Sequence, residues 1–482
     1  MTRARMLVAG VGLLLSGCLA TVGPDYAPPD LETPAAYRGG ADAGGRLPEG
    51  AAAHAAWWRG FGDARLNALV ARALAGNLEI AAARARLAEA RALVGVAAAA
   101  DGPTLDGTGG ADADARLLRD PPRDQETVTG TARAGLAFSW GPDLFGGQRR
   151  AVEAAAAEAR RRALLRDDLR REVAADVVRR YLDIARDRAG LDLIDASLEV
   201  QRQTLGLVRR RFRAGLAAAL DVSRAEAQVA ATRARRGPLR TGLAESEAAL
   251  AVLVGGDGAD DPPVPGAVPA YAGGPDIGLP RDLLRARPDV RAAEADLARA
   301  TAEIGVAEAA LYPRLTLPGT LTLSSTGLGT ADVVRSLVAT LAASLDIPLL
   351  DGGARRGRIA AAEARAREAL LAYRATLVQA VAEVETALGA LAAARTRADD
   401  LAEAVTASET AVGQARGLYA QGLVGFLDVL DAERTRLDNR QALVTARADV
   451  ARAIADLYAA AGAPVPGPGA DGVSRRTEGR RS

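Results

Sequence analysis

The chain has 482 residues, of which 61 are basic and 60 acidic, for a formal net charge of +1, and only 3% are aromatic. This balance gives no electrostatic footprint for nucleic acid. Every basic residue other than His54 is an arginine, so there is no P-loop lysine and no Schiff-base catalyst.

At the N-terminus, Arg3 and Arg5 precede a short apolar run, Met6 to Leu15. That is a secretory signal, too short to span a bilayer. It ends in Leu15-Ser16-Gly17-Cys18, which resembles a bacterial lipobox. Residues 1–17 are therefore expected to be removed and Cys18 to become the acylated first residue. No Asp follows Cys18, which by analogy with other lipoproteins points to the outer membrane. Cys18 is the only cysteine and His54 the only histidine. An intrachain disulfide and a cysteine metal cluster are excluded, and a Ser-His-Asp triad would depend on His54 alone. No cofactor and no metal site are expected. Residues 18–60 are read as a lipidated extended segment.

The remainder is one unit written twice. Leu87, Gly95, Ala97 and Pro103 return as Leu297, Gly305, Ala307 and Pro313 at an offset of 210. Pro142, Leu144 and Gly146-Gly147 return as Pro348, Leu350 and Gly352-Gly353 at an offset of 206. Gly215-Leu216 and Leu220-Asp221-Val222 return as Gly422-Leu423 and Leu427-Asp428-Val429 at an offset of 207. The repeats are placed at 61–255 and 281–461, with a Pro/Gly-rich linker at 256–280 and a disordered tail at 462–482.

Each copy opens with helical spacing and then changes to period two. Ala132, Ala134, Leu136, Phe138 and Trp140 alternate with more polar neighbours, as do Leu315 to Leu323 and then Leu337 to Ile347. Period two over about ten residues suits a tilted strand crossing a bilayer, although a soluble hairpin has the same pattern. Gln148 to Arg213 follows without a proline. At about 1.5 Å per residue it spans roughly 100 Å as a helix. Val177, Ile184, Leu191, Leu198, Leu205 and Phe212 recur every seven residues, and the seam returns as Val384, Leu391, Ala398, Val405, Val412 and Tyr419. A sustained heptad requires partner helices. Each copy thus predicts a long helical hairpin turning at Gly215 or Gly422.

These residues resemble the TolC-like outer-membrane efflux proteins, in particular the lipoprotein branch that contains NodT and OprM. The resemblance rests on Val22-Gly23-Pro24-Asp25-Tyr26, Trp57-Trp58 with Phe61 and Asp63, and Trp140 to Gly146. It continues through Leu284-Arg285-Ala286-Arg287-Pro288-Asp289-Val290, Tyr312-Pro313, Asp351-Gly352-Gly353 and Asp428-Val429-Leu430-Asp431. It implies a mainly α chain with a membrane β-barrel: a trimer with a shared twelve-stranded barrel, four strands per protomer, and a long periplasmic helical barrel. Gly141-Pro142 departs from the string many relatives carry there.

The function implied is a passive exit duct of a tripartite system, embedded in outer-membrane lipid. Its partners would be a periplasmic adaptor and an inner-membrane RND-type pump. The alternatives are a lipid-anchored periplasmic coiled-coil scaffold, which leaves the duplicated strands unexplained, and a lipid-anchored enzyme. Carboxylates are plentiful, but on long helices solvated charge is the simpler reading, and no enzyme is expected. Gly215, Leu216, Asp221, Gly422, Leu423 and Val424 are the expected tip residues contacting the adaptor. Asp428, Asp431 and Tyr419 match positions of the family's constriction. Val424 stands where TolC itself has an arginine, so that closing contact is not carried over.

Overall fold

The computed structural model describes residues 21–30, 32, 34–38, 56–118, 125–256, 267–272, 287–328 and 334–465. The signal segment, Cys18, His54, Leu284 to Ala286, most of the linker and the end of the tail lie outside the described residues. A 3₁₀ turn at Trp57–Phe61 leads into α1 (Ala64–Gly76) and α2 (Leu78–Ala99), then β1 (Thr104–Leu118) and β2 (Gln125–Trp140). Next come α3 (Gly147–Arg213), α4 (Ala219–Ala234) and α5 (Arg236–Val254). The second copy runs α6 (Pro288–Ala309), β3 (Arg314–Leu328), β4 (Val334–Leu341), β5 (Ser344–Asp346), α7 (Ala354–Ala420) and α8 (Phe426–Ala460). The duplication is thus visible in the order of elements, and α3 and α7 are each 67 residues long.

The copies differ in their return helices. The return helix of copy one breaks at Arg235, whereas α8 is continuous. Pro238 has no amide hydrogen for the carbonyl one turn earlier; its counterpart Thr445 has one.

Two compact units divide the chain: residues 1–30, 86–162 and 293–373, and residues 31–85, 163–292 and 374–482. The first holds an antiparallel sheet in the order β1-β2-β3-β4, with β5 also paired to β3. The sequence alternation predicts one strand from Leu337 to Ile347. The structure instead ends β4 at Leu341 and resumes at Ser344. The reason lies across the ladder. Extending the register of β4 places Ala342 opposite Pro318. Ala342 donates its N–H to the Pro318 carbonyl at 2.9 Å, but Pro318 has none to return.

The second unit is a helical core. Val177, Ile184 and Leu198 of α3 and Val384 and Leu391 of α7 are buried, while Phe212, at the tip end of the seam, is 45% exposed. Small side chains such as Ala174, Ala185 and Ala455 are fully buried among them, which permits close helix approach. The Trp57-Trp58 string forms an aromatic cluster. Trp57 stacks on Tyr458 at 5.3 Å, and Phe61 meets Tyr271 edge-on at 5.0 Å. The Tyr271 hydroxyl donates to the Trp57 carbonyl at 3.2 Å. Asp63 caps α1, accepting the N–H of Arg65 at 2.8 Å and of Leu66 at 3.2 Å. It also accepts the Tyr181 hydroxyl; burial and this carboxylate push the Tyr181 phenol up.

Candidate functional site

The register sorts the sheet into two unlike faces. Leu105 lies opposite Phe138, Gly107 opposite Leu136, and Ala111 opposite Ala132. Leu136 in turn faces Leu321, Ala134 faces Leu323, and these two pair with Ala339 and Leu337. One face is therefore aliphatic across four strands, yet Leu323, Leu337 and Leu341 are largely exposed. The opposite face carries Asp106, Thr108, Asp112, Arg133, Thr320, Thr322 and Ser324. There Arg133 pairs with Asp112 at 3.1 Å, and the Ser324 and Ser336 hydroxyls bond at 2.6 Å. An exposed apolar face backed by a polar one is the pattern of a strand set between lipid and water. Among the described residues, the outer edges of β1 and β4 have no partner strand.

At the hairpin turns the two copies use the same device. Gly215 and Gly422 have φ of 70° and 79°, a left-handed conformation that glycine adopts without strain. Leu216 donates to the Arg211 carbonyl at 2.8 Å and Leu423 to the Leu418 carbonyl at 2.9 Å. Both are the six-to-one bond of a glycine C-cap. The turn leaves Leu216 at 69% and Leu423 at 67% exposure, with Leu220 and Leu427 also exposed. Val424 is half-buried, and Asp221, in the first turn of α4, has Arg224 at 3.9 Å.

Behind the turns, Phe426, Val429 and Leu430 of α8 pack with Val208 and Ala225. Tyr419 lies beside this cluster, 5.8 Å from the Phe426 ring. The Arg211 guanidinium sits 4.6 Å from the Tyr419 ring centre and donates to its carbonyl at 3.1 Å. Burial raises the Tyr419 pKa, with Arg211 and Asp221 acting in opposite directions. Asp428 and Asp431 are on another side of α8, exposed, and line one groove with Ser408 and Ala411 of α7. Asp428 has a second task. Its carboxylate accepts the Gly425 N–H at 3.0 Å, closing the first turn of α8 from the N3 position.

The sequence reading missed Arg211 and an ion pair with a buried carboxylate, Arg416 with Glu433 at 2.5 Å, in which Glu433 is 4% and Arg416 39% exposed. The duplication contained the signal. Arg209 and Glu226, one repeat earlier, form the corresponding pair at 2.6 Å on the surface. The Arg-Pro-Asp string is also explained. Arg287 is buried and bonds Asp289 at 2.6 Å, Glu383 at 2.7 Å and the Ala460 carbonyl at 2.9 Å, tying α6 to α7 and to the end of α8. Burial alone would raise the Asp289 pKa, but Arg287 outweighs it and holds the carboxyl below the usual range.

Strands of this kind and long helical hairpins in one chain define a class: ducts of the outer membrane built from both. A scaffold of heptads alone would have no use for the sheet. Residues 69–256 and 279–463 match the Outer membrane efflux protein family. Nodulation protein T of Rhizobium leguminosarum bv. trifolii is 32% identical over 93% of this chain and 94% of its own length. The pyoverdine export outer membrane protein OpmQ of Pseudomonas aeruginosa is 30% identical over 84% of this chain and 86% of its own. The structure of the outer-membrane channel OprN superposes with a TM-score of 0.82 at 32% identity, covering 92% of this chain and 99% of that one. The chain belongs to the outer membrane efflux protein family; it is an efflux channel of the outer membrane with the TolC-like fold.

Proposed function

We propose that the channel acts as a homotrimeric exit duct for small molecules, without catalysis of its own, driven by an inner-membrane RND-type pump through a periplasmic adaptor. The observation that carries the trimer is the open sheet. In hydrocarbon each unpaired backbone group on the free edges of β1 and β4 costs several kcal/mol, and four strands are too few to close on themselves. Three copies joined edge to edge give twelve strands and leave no edge.

The adaptor docks on the tips. Leu216 and Leu423 are large apolar side chains held in solvent by glycine turns, and burying such a side chain contributes about 1.5–3 kcal/mol. Changing either to Arg is expected to abolish efflux and adaptor crosslinking while native mass spectrometry still records trimers. Crosslinking equal to the parent in both variants would place docking elsewhere. Asp428, Asp431 and Tyr419 form the periplasmic constriction, and Asp221 belongs to the tip contacts.

Cys18 is the acylated N-terminus that anchors the duct in outer-membrane lipid. Intact-mass measurement is expected to show loss of residues 1–17 and a gain of acyl chains. A mature chain starting elsewhere, with Cys18 unmodified, would refute the anchor.

A further inference from the structure

The duplication supplies, within one copy, a packed contact whose counterpart stands open. A Cβ built on Gly305 of α6 would lie 2.7 Å from the Arg150 Cγ, so the stem of this α3 arginine occupies the space glycine leaves. Four residues on, the Ala309 methyl would lie 2.7 Å from a Cβ on Gly147, at the start of α3. Both contacts join the end of α6 to the start of α3.

The offset of 210 carries Gly305 and Ala309 onto Gly95 and Ala99 of α2; the offset of 206 carries Gly147 and Arg150 onto Gly353 and Arg356. All four positions keep their residue type. Yet Gly95 and Gly353 have nothing within 4 Å of a built Cβ, and Ala99 and Arg356 are exposed. Beside them Ala92 is exposed and Val94 half-buried, whereas their counterparts on α6, Ala302 and Ile304, are buried.

The strand order gives the reason. The helix after β2 and the helix before β3 flank neighbouring strands, so their contact forms within the chain. The helix after β4 and the helix before β1 flank the two free edges. Their contact can form only where the β4 edge of one copy meets the β1 edge of the next. Such a head-to-tail interface closes into a ring when the rotation permits.

We propose that Gly353 and Arg356 of one copy pack on Ala99 and Gly95 of the next, repeating between copies the contacts Gly147–Ala309 and Arg150–Gly305. This rests on the trimeric duct proposed above. The match is not complete. Arg150 also donates to the carbonyls of Val22 at 3.1 Å and Gly23 at 3.0 Å and to Asp25 at 2.7 Å, and the chain has a single such N-terminal segment. The contact between copies therefore depends more on the arginine stem and the small residues beneath it.

A benzophenone amino acid in place of Arg356, in a mixture of unlabelled and ¹⁵N-labelled full-length chains, tests the pairing. Irradiation is expected to give mixed-label crosslinks to peptides containing residues 93–100. Independently, Gly95→Leu fills space that is open within one chain, so the helix content should persist while the trimer fraction falls at least tenfold. Gly237→Leu, also in open space on a helix, is the matched control and should leave the trimer fraction unchanged. Native mass spectrometry of the parent separates the two readings. A parent that forms no trimer removes the duct itself. A trimeric parent whose Arg356 crosslinks fall on other peptides, and whose trimers tolerate Gly95→Leu, overturns this interface alone.

Discussion

Leu321→Arg is expected to eliminate assembly in the outer membrane, whereas Thr322→Arg, one residue along, should assemble normally. Leu321 lies at the middle of β3, which runs Arg314–Leu328. Its cross-strand partners are Leu136 and Ala339, so it shares the aliphatic face. An arginine on the lipid side near the midplane costs about 2–4 kcal/mol per chain. Three copies multiply that to roughly 6–12 kcal/mol, as much as the whole stability of a typical domain. Thr322 is on the polar face, opposite Gly135 and Val338, where an arginine meets water and the missing side chain of Gly135 leaves room. The check is the trimer band in membrane fractions, heated and unheated. Equal assembly of the two variants would mean that the aliphatic face is not the one in lipid.

Replacing Asp428 and Asp431 together by Asn should weaken cation selectivity and remove block by multivalent cations in single-channel recordings. In a trimer these two exposed carboxylates per chain would place six around the constriction, a ring that attracts cations and repels anions. Two carboxylates about 6 Å apart repel by roughly 0.7 kcal/mol at the dielectric of water, and by several times more in a narrow pore. Other contacts must hold such a ring closed; the Arg211–Tyr419 pair and the apolar cluster around Phe426 are suitably placed on the same hairpin ends. Asn suits the test better than Ala because Asp428 also caps α8 through Gly425. Losing a cap costs about 0.5–2 kcal/mol, which would mix a structural effect with an electrostatic one. Selectivity and block identical to the parent would show that these side chains do not line the constriction.

How much of this was legible in advance depended on how local the cause was. The glycine turns at Gly215 and Gly422 and the seam from Val177 to Leu205 follow from backbone conformation and helical period, both fixed by neighbours in the chain. So does the division of each strand into two faces, because period two belongs to the strand itself. The sequence by itself therefore determined most of the elements, their duplication, the apolar tips and the family. It could not show which strands are neighbours, because alternation assigns a face but no partner. Only the β3–β4 ladder puts Ala342 opposite Pro318 and breaks the strand there. Burial of charge was hidden for the same reason. Glu226 and Glu433 occupy the same place in the repeat, yet only Glu433 is buried, because what covers a carboxylate comes from segments far along the chain. The tertiary structure alone also set Arg211 over the Tyr419 ring and placed Arg150 over Gly305. Each is a distance between residues that the sequence keeps apart, and only the closed chain sets it.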